Sequence, residues 1–411
     1  MSGPAHRQRG LLRRTGTSLV SARPAARALL EHHTGLRAAR LAAAAADGLR
    51  ERLRPTRGRM RALTAGPGGL AWREVPQPPP PGPRGASVRP IAAATCDMDR
   101  PLALGATPFP LPAHLGHECV AQVLEVGDEV TRVRPGDQVV VSFQVACGRC
   151  PSCAGGATGV CEEVPPCSMY GFGAMGGHWG GTFSEVVAVP YADAMLFRLP
   201  PGVSPLAASS VADGVCDGYR HLARHLPGLL DQDKDTEVLI LAGLARRPLF
   251  SPSAALYAGL AARALGAREV RLCDSRPAVR ERAAQLGMVP LAPRELGPRQ
   301  RARLVIDRSC HRRGVPLALS LTRPEGVCAS TGGLHRVARV PYLTSFGRRV
   351  TLQLGDSHNQ AAVPRVLELI AAGELRPELV ISRTAPFDDG VRALRAHVRG
   401  DAVKTVLVES R

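Results

Sequence analysis

Glu237-Val-Leu-Ile-Leu-Ala-Gly243, followed after the connection 244–252 by Ser253-Ala-Ala255-Leu-Tyr and then by Glu269-Val-Arg-Leu-Cys-Asp274, is the stretch that decides the fold. An apolar run of strand length ends at Gly243, a helical pattern covers 254–265, and a second apolar run covers Glu269–Cys273. Strands that are apolar on both faces must be covered on both faces, so this alternation predicts a parallel, doubly wound α/β sheet. The pattern continues in both directions. A helix over 206–225 precedes it, and a helix over 277–286 with strands at Ala302–Ile306 and Gly326–Ser330 follows. The tail, 351–411, returns to strand, with a helix over 361–372 and a last strand at Lys404–Val408.

Upstream the texture is different. Between 85 and 200, short apolar runs (Cys119–Val126, Gln138–Phe143, Phe183–Val189) are separated by Gly, Pro and Asp, and Arg134-Pro-Gly-Asp137 turns the first into the second. This reads as a mostly-β unit. Two further strands are expected before it, from Met60 and at Leu70–Val75, with a proline-rich turn at 76–83. A chain of 411 residues exceeds what one core accommodates, so two or more domains are expected.

The composition excludes several classes. With 45% apolar residues the chain is not wholly disordered, and it has no apolar run of about 18 residues to span a membrane. The net charge of +18 resembles a nucleic-acid footprint. However, Lys234 and Lys404 are the only lysines, which points to GC-rich codon usage rather than a selected basic surface. Residues 1–59 carry 13 Arg against Glu31, Asp47 and Glu51, and lack the apolar core of a secretory signal. They are expected to be a basic extension outside the working domains, arising from a start assigned upstream of Met60 or from a targeting segment. Eleven cysteines in so long a chain fit a reduced compartment, and a cytoplasmic location is expected.

Four cysteines are bunched: Cys147, Cys150, Cys153 and Cys161, among Gly148, Pro151, Gly155, Gly156 and Gly159. Four thiolates in a glycine-rich loop suit a closed tetrahedral zinc site. An iron–sulfur cluster or a zinc ribbon for nucleic acid uses similar spacing. A ribbon calls for basic residues interleaved with aromatics, whereas 145–163 holds Arg149 alone and no aromatic, so no nucleic-acid partner is expected. A second set is dispersed: Cys96-Asp97-Met98-Asp99, then Gly116-His117-Glu118, then Asp213. A thiolate, an imidazole and carboxylates far apart in sequence are the layout of a catalytic metal with an open position.

The order Cys96, Gly116-His117-Glu118, Val126-Gly-Asp-Glu-Val130, Pro135-Gly-Asp-Gln-Val139 and then the cysteine quartet resembles the zinc-dependent medium-chain alcohol dehydrogenase family. The resemblance covers about 60–411 and runs through Gly180-Gly-Thr-Phe-Ser-Glu185 to Val403-Lys-Thr-Val-Leu407. It implies an α/β chain with a GroES-like, mostly-β catalytic domain (60–212), a Rossmann dinucleotide domain (213–355) and a C-terminal segment returning to the catalytic domain (356–411). It implies two Zn²⁺ per chain: a structural ion on Cys147, Cys150, Cys153 and Cys161, and a catalytic ion on Cys96, His117 and Asp213, with Glu118 as ligand or neighbour. The implied reaction exchanges a hydride between an alcohol or polyol and NAD, giving an aldehyde or ketone. The implied assembly is a homo-oligomer, dimer or tetramer.

For the dinucleotide the resemblance implies Gly243, Ser253, Ala255, Asp274, Thr331, Gly332 and Lys404. Asp274 stands where an acid bonds the ribose hydroxyls of NAD and disfavours a 2′-phosphate, with Arg276 moderating that preference. The chain departs from the family at three places. Only Gly243 remains of the glycine loop, with Ala255 at the last glycine and extra residues Leu244–Phe250 between them. Met98 replaces the hydroxyl residue that many relatives carry, and Asp217 replaces a Thr. The lengthened loop leaves an alternative: a member that keeps fold and zinc but binds cofactor weakly and has little dehydrogenase activity.

Overall fold

The computed structural model describes residues 58–409 except 67, 108–110, 112, 166, 173–178, 332–337 and 356–357. The basic extension to residue 57, and Gly332 among the expected cofactor residues, lie outside the described residues. The chain divides into two units: one comprises Asp217–Ser357 and Glu374–Val380, and the other holds the described residues before Asp217 together with His358–Gly373 and Ile381–Arg411.

The first unit is built on the stretch that opens the sequence reading. Its sheet runs β11(Val289–Leu291)-β10(Glu269–Asp274)-β9(Glu237–Gly243)-β12(Ala302–Asp307)-β13(Thr322–Ser330)-β14(Thr351–Leu354), all neighbours parallel. Numbered from β9, this is the order 3-2-1-4-5-6 of the doubly wound dinucleotide fold, and it reverses direction between β9 and β12. Six of the seven β9 residues are buried, as expected of a strand covered on both faces. Its core joins Leu239, Leu241 and Cys273 to Val305, Ala318 and Cys328.

The second unit is antiparallel in its main pairings. A seven-stranded sheet runs β15(Arg383–Pro386)-β16(Thr405–Val408)-β3(Ala86–Ala94)-β5(Glu118–Val126)-β6(Gln138–Val141)-β8(Leu196–Arg198), with β7(Val187–Val189) also on β3. A smaller sheet pairs β2(Gly69–Pro76), β1(Arg59–Gly66) and β4(Ala113–His114). The β1 strand begins at Arg59, one residue before Met60, and pairs it with Pro76. The C-terminal β16 lies antiparallel to β3, so the tail is built into the sheet that carries Glu118.

The mostly-β reading of 85–200 needs short helical turns added at Asp99–Ala103, Pro151–Ala154 and Ala192–Met195. The single helix expected over 206–225 is divided. A turn at Pro205–Ala208 is followed by a π-helical turn at Val211–Val215 and then by a helix at Cys216–Gln232. The Val215 N–H donates to Ser210 O, five residues back, at 3.0 Å. One extra residue in the turn re-aims Asp213, and a 3.6-residue periodicity carries no trace of such a bulge.

Candidate active site and metal centres

Gly116 sits at φ +89 just before β5, and a Cβ there would meet Phe183 N at 2.7 Å. Glycine is therefore required, and the turn delivers His117 and Glu118 into the interior, 1% and 0% exposed. Cys96 follows β3, and its N–H donates to Asp99 Oδ2 at 2.8 Å. Asp213 arrives on the π turn. The ligand atoms of Cys96, His117, Glu118 and Asp213 all lie within 4.8 Å of one another. Cys96 Sγ donates to Asp213 Oδ2 at 3.1 Å, and His117 Nε2 lies 3.4 Å from the same oxygen.

This cluster fits a divalent ion. Neither ring nitrogen of His117 has a hydrogen-bond partner although the ring is buried, flanked by Phe172 and Phe143. A buried imidazole without such partners is costly unless a ligand takes its lone pair. Burial pushes the Cys96 thiol well up, and the carboxylates of Asp213 and Glu118 add to this. Burial likewise pushes the Glu118 carboxyl up to about 7 against the opposing pull of Lys404. A cation among these groups relieves both penalties.

The surroundings hold the cluster in place. Glu118 Oε1 accepts from Gly214 N at 3.1 Å, and its Oε2 accepts from Lys404 Nζ at 2.6 Å, with both side chains fully buried. Asn359 Nδ2 donates to Asp213 Oδ1 at 2.8 Å. His397 bridges Thr95 Oγ1 at 3.3 Å and Cys96 O at 3.4 Å. Asn359 and His397 went unread in the sequence. The first is the chain's only asparagine, a weak signal; the second has none, being one of twelve histidines. Asp99 turns its carboxylate to the Cys96 N–H, while Met98 packs half-buried against the core.

The quartet forms a second compact set. Cys147, Cys150, Cys153 and Cys161 are all buried and hold their sulfurs within 4.8 Å of one another, near the spacing of about 3.8 Å expected around one tetrahedral zinc. Backbone N–H groups point at the sulfurs: Cys150 N and Arg149 N at Cys147 Sγ, 3.3 and 3.4 Å, and Cys147 N at Cys161 Sγ, 3.3 Å. Amides aimed at sulfur favour the thiolate form that a metal requires. The loop fits a zinc ion.

In the first unit, the residues expected to meet a dinucleotide are engaged by the chain itself. Asp274 ends β10 as expected but is 0% exposed. Its Oδ1 accepts from Arg276 N and Nε, both 2.8 Å, and its Oδ2 from Arg276 Nη2 at 2.6 Å. Gly243 makes room for this carboxylate, since a Cβ there would lie 2.6 Å from Asp274 Oδ2. Ser253 and Ala255 begin the helix Ser253–Ala264 and are buried, 1% and 2% exposed. Thr331 Oγ1 accepts from Arg308 Nη1 at 2.6 Å. Lys404, expected on the pyrophosphate, is instead bound to Glu118 in the other unit. Asp217, at the family's Thr position, is paired with Arg220 and Arg308. As arranged, Asp274 offers no carboxylate oxygen to a ribose.

Comparison with known proteins agrees with this architecture. Residues 82–201 match the alcohol dehydrogenase GroES-like domain. The chain is 30% identical over 342 residues to the probable zinc-binding alcohol dehydrogenase Rv1895 of Mycobacterium tuberculosis, covering 81% of this chain and 84% of that one. It is 31% identical over 331 residues to a geraniol dehydrogenase of Castellaniella defragrans, covering 73% and 84%. The alcohol dehydrogenase TADH from Thermus sp. ATN1 superposes with a TM-score of 0.75 at 30% identity, covering 85% of this chain and all of that one. A GroES-like unit, a doubly wound sheet and two ligand clusters define a zinc-binding oxidoreductase. The chain belongs to the zinc-dependent medium-chain alcohol dehydrogenase family.

Proposed function

We propose that the protein is a dehydrogenase that exchanges a hydride between an alcohol or polyol and NAD, giving an aldehyde or ketone. The observation that carries this reading is the convergence of Cys96, His117, Glu118 and Asp213 within 4.8 Å in a buried pocket. Cys96, His117 and Asp213 hold the ion, which supplies Lewis acidity toward an alcohol or carbonyl oxygen. Asn359 fixes the Asp213 carboxylate, and Gly214 with Lys404 fixes Glu118 beside the ion or as a further ligand. The cysteine quartet holds a second, structural zinc. Gly243, Ser253, Ala255, Asp274, Thr331 and Gly332 stay assigned to the cofactor, for which Asp274 must exchange its present partner, whereas Lys404 stays with Glu118.

The proposed assembly is a homo-oligomer, supported by the exposed Tyr342, Leu343, Phe346 and Leu354 near the β14 edge. Among the described residues no helix is long and apolar enough to cross a membrane; the proposed location remains the cytoplasm. Metal analysis is expected to give two zinc ions per chain. A panel of alcohols with NAD is expected to produce absorbance of the reduced nicotinamide. Zinc-loaded protein inert toward every alcohol and aldehyde with both NAD and NADP overturns the reading.

A further inference from the structure

We infer that Arg276 is a latch: it closes the ribose acid of the dinucleotide half, and cofactor binding proceeds through its release. The inference rests on the dehydrogenase reading and deepens it by naming what limits cofactor affinity. Asp274 has no exposed surface, and both its carboxylate oxygens are taken by a single guanidinium and its own backbone amide. The remaining terminal nitrogen of Arg276, Nη1, donates to Phe250 O at 3.0 Å. Phe250 belongs to the lengthened connection Leu244–Pro252 that replaces the short glycine loop between β9 and the next helix.

Arg276 therefore ties the inserted loop to the acid. The same connection is pinned a second time, where Ser275 Oγ donates to Ala245 O at 2.6 Å. Its C-terminal end is packed down, with Leu249 2% and Phe250 8% exposed, immediately before Ser253 at the helix start. A helix start receives a pyrophosphate only when it is open to solvent. Here the last four residues of the loop that leads into it, 249–252, are buried, while Arg246 and Arg247 are exposed. Arg280 Nη1 completes the closure from behind by donating to Asp274 O at 2.9 Å.

At the point where the strand order reverses, the arrangement recurs. Arg308 follows β12, donates its N–H to Leu241 O of β9 at 2.9 Å, and joins Asp217 to Thr331. Dinucleotides lie across this switch point. Two arginines thus hold, from within, groups assigned to the cofactor. A site whose competent state is a minor fraction binds with an affinity reduced by that fraction, and saturating ligand cannot bind faster than the latch opens.

The test uses the zinc-loaded full chain and NADH, followed by nicotinamide fluorescence. In wild type, the observed binding rate is expected to level off with rising NADH, and Arg276→Ala is expected to tighten NADH binding at least tenfold. Should Arg276→Ala misfold with Asp274 left unpaired, the wild-type rate curve still decides: a rate linear in NADH up to saturation overturns the latch. Arg276→Ala binding NADH no more tightly, or losing NADPH affinity in particular, also overturns it and makes Arg276 a bystander or a phosphate ligand. Both of those outcomes leave the dehydrogenase reading intact. Folded, zinc-loaded wild type and variant that bind neither NADH nor NADPH overturn the latch and the dehydrogenase reading together.

Discussion

Lys404 and Glu118 show how much a single pair can carry. Two opposite charges with no exposed surface meet at 2.6 Å. Such a pair adds little net stability over apolar replacements, but removing one partner strands the other. Lys404→Met is expected to cost about 3–5 kcal/mol in urea unfolding. Adding Glu118→Gln to Lys404→Met should restore part of that loss. Additive losses would show that the two side chains do not act as a pair. Asn359 acts more locally, as the donor that holds one oxygen of Asp213. Asn359→Ala is expected to weaken one of the two zinc sites about 10–100-fold in chelator competition and to leave the other unchanged.

The elements that matter most are those that break regularity. The π turn at Val211–Val215 interrupts a run of helix to aim Asp213, and its Gly214 N–H reaches Glu118. The quartet loop contains only one four-residue helical turn and a 3-10 turn, so little regular hydrogen bonding holds it without a metal. Metal binding in such a loop is part of its folding free energy. Cys150→Ser is therefore expected to lose one zinc per chain and to lower the melting temperature. Full zinc content with an unchanged melt would show that the loop stands without its metal.

At the scale of the whole molecule, the doubly wound unit depends on ion pairs at the carboxyl ends of its strands. Burial alone would raise the Asp217 carboxyl, but Arg308 and Arg220 together hold it far below the usual carboxylate range. A carboxylate depressed in the folded state contributes stability above its unfolded value, about 3.9, and that stability is lost as pH falls through the folded value. Asp217→Asn is thus expected to cost about 1.5–3 kcal/mol at pH 7, and the gap from wild type should narrow as pH drops below about 4. Melting curves across pH 3–8 read this directly. A gap independent of pH would mean that the charge of Asp217 contributes nothing.

Much of the fold was legible in local pattern. The β9 and β10 strands and the helix between them follow from apolar runs and turn residues, because each is specified by its own neighbours in sequence. The cysteine quartet was legible for a different reason: few residue types bind zinc, and its spacing is short enough to read directly, whereas Cys96, His117 and Asp213, dispersed along the chain, were grouped by the family resemblance. The sequence also placed an acid at the end of β10, at Asp274. Only the tertiary structure decided what that acid does. Whether a buried carboxylate faces a ribose or an arginine depends on where a side chain two residues away and an inserted loop come to rest. The same holds for Lys404, whose partner is 286 positions away in sequence. It holds also for Asp213, aimed by one extra residue in a turn. Local pattern determines which elements form; the partners of buried charges are chosen by packing, because a buried charge must take whatever counter-charge the assembled core brings within reach.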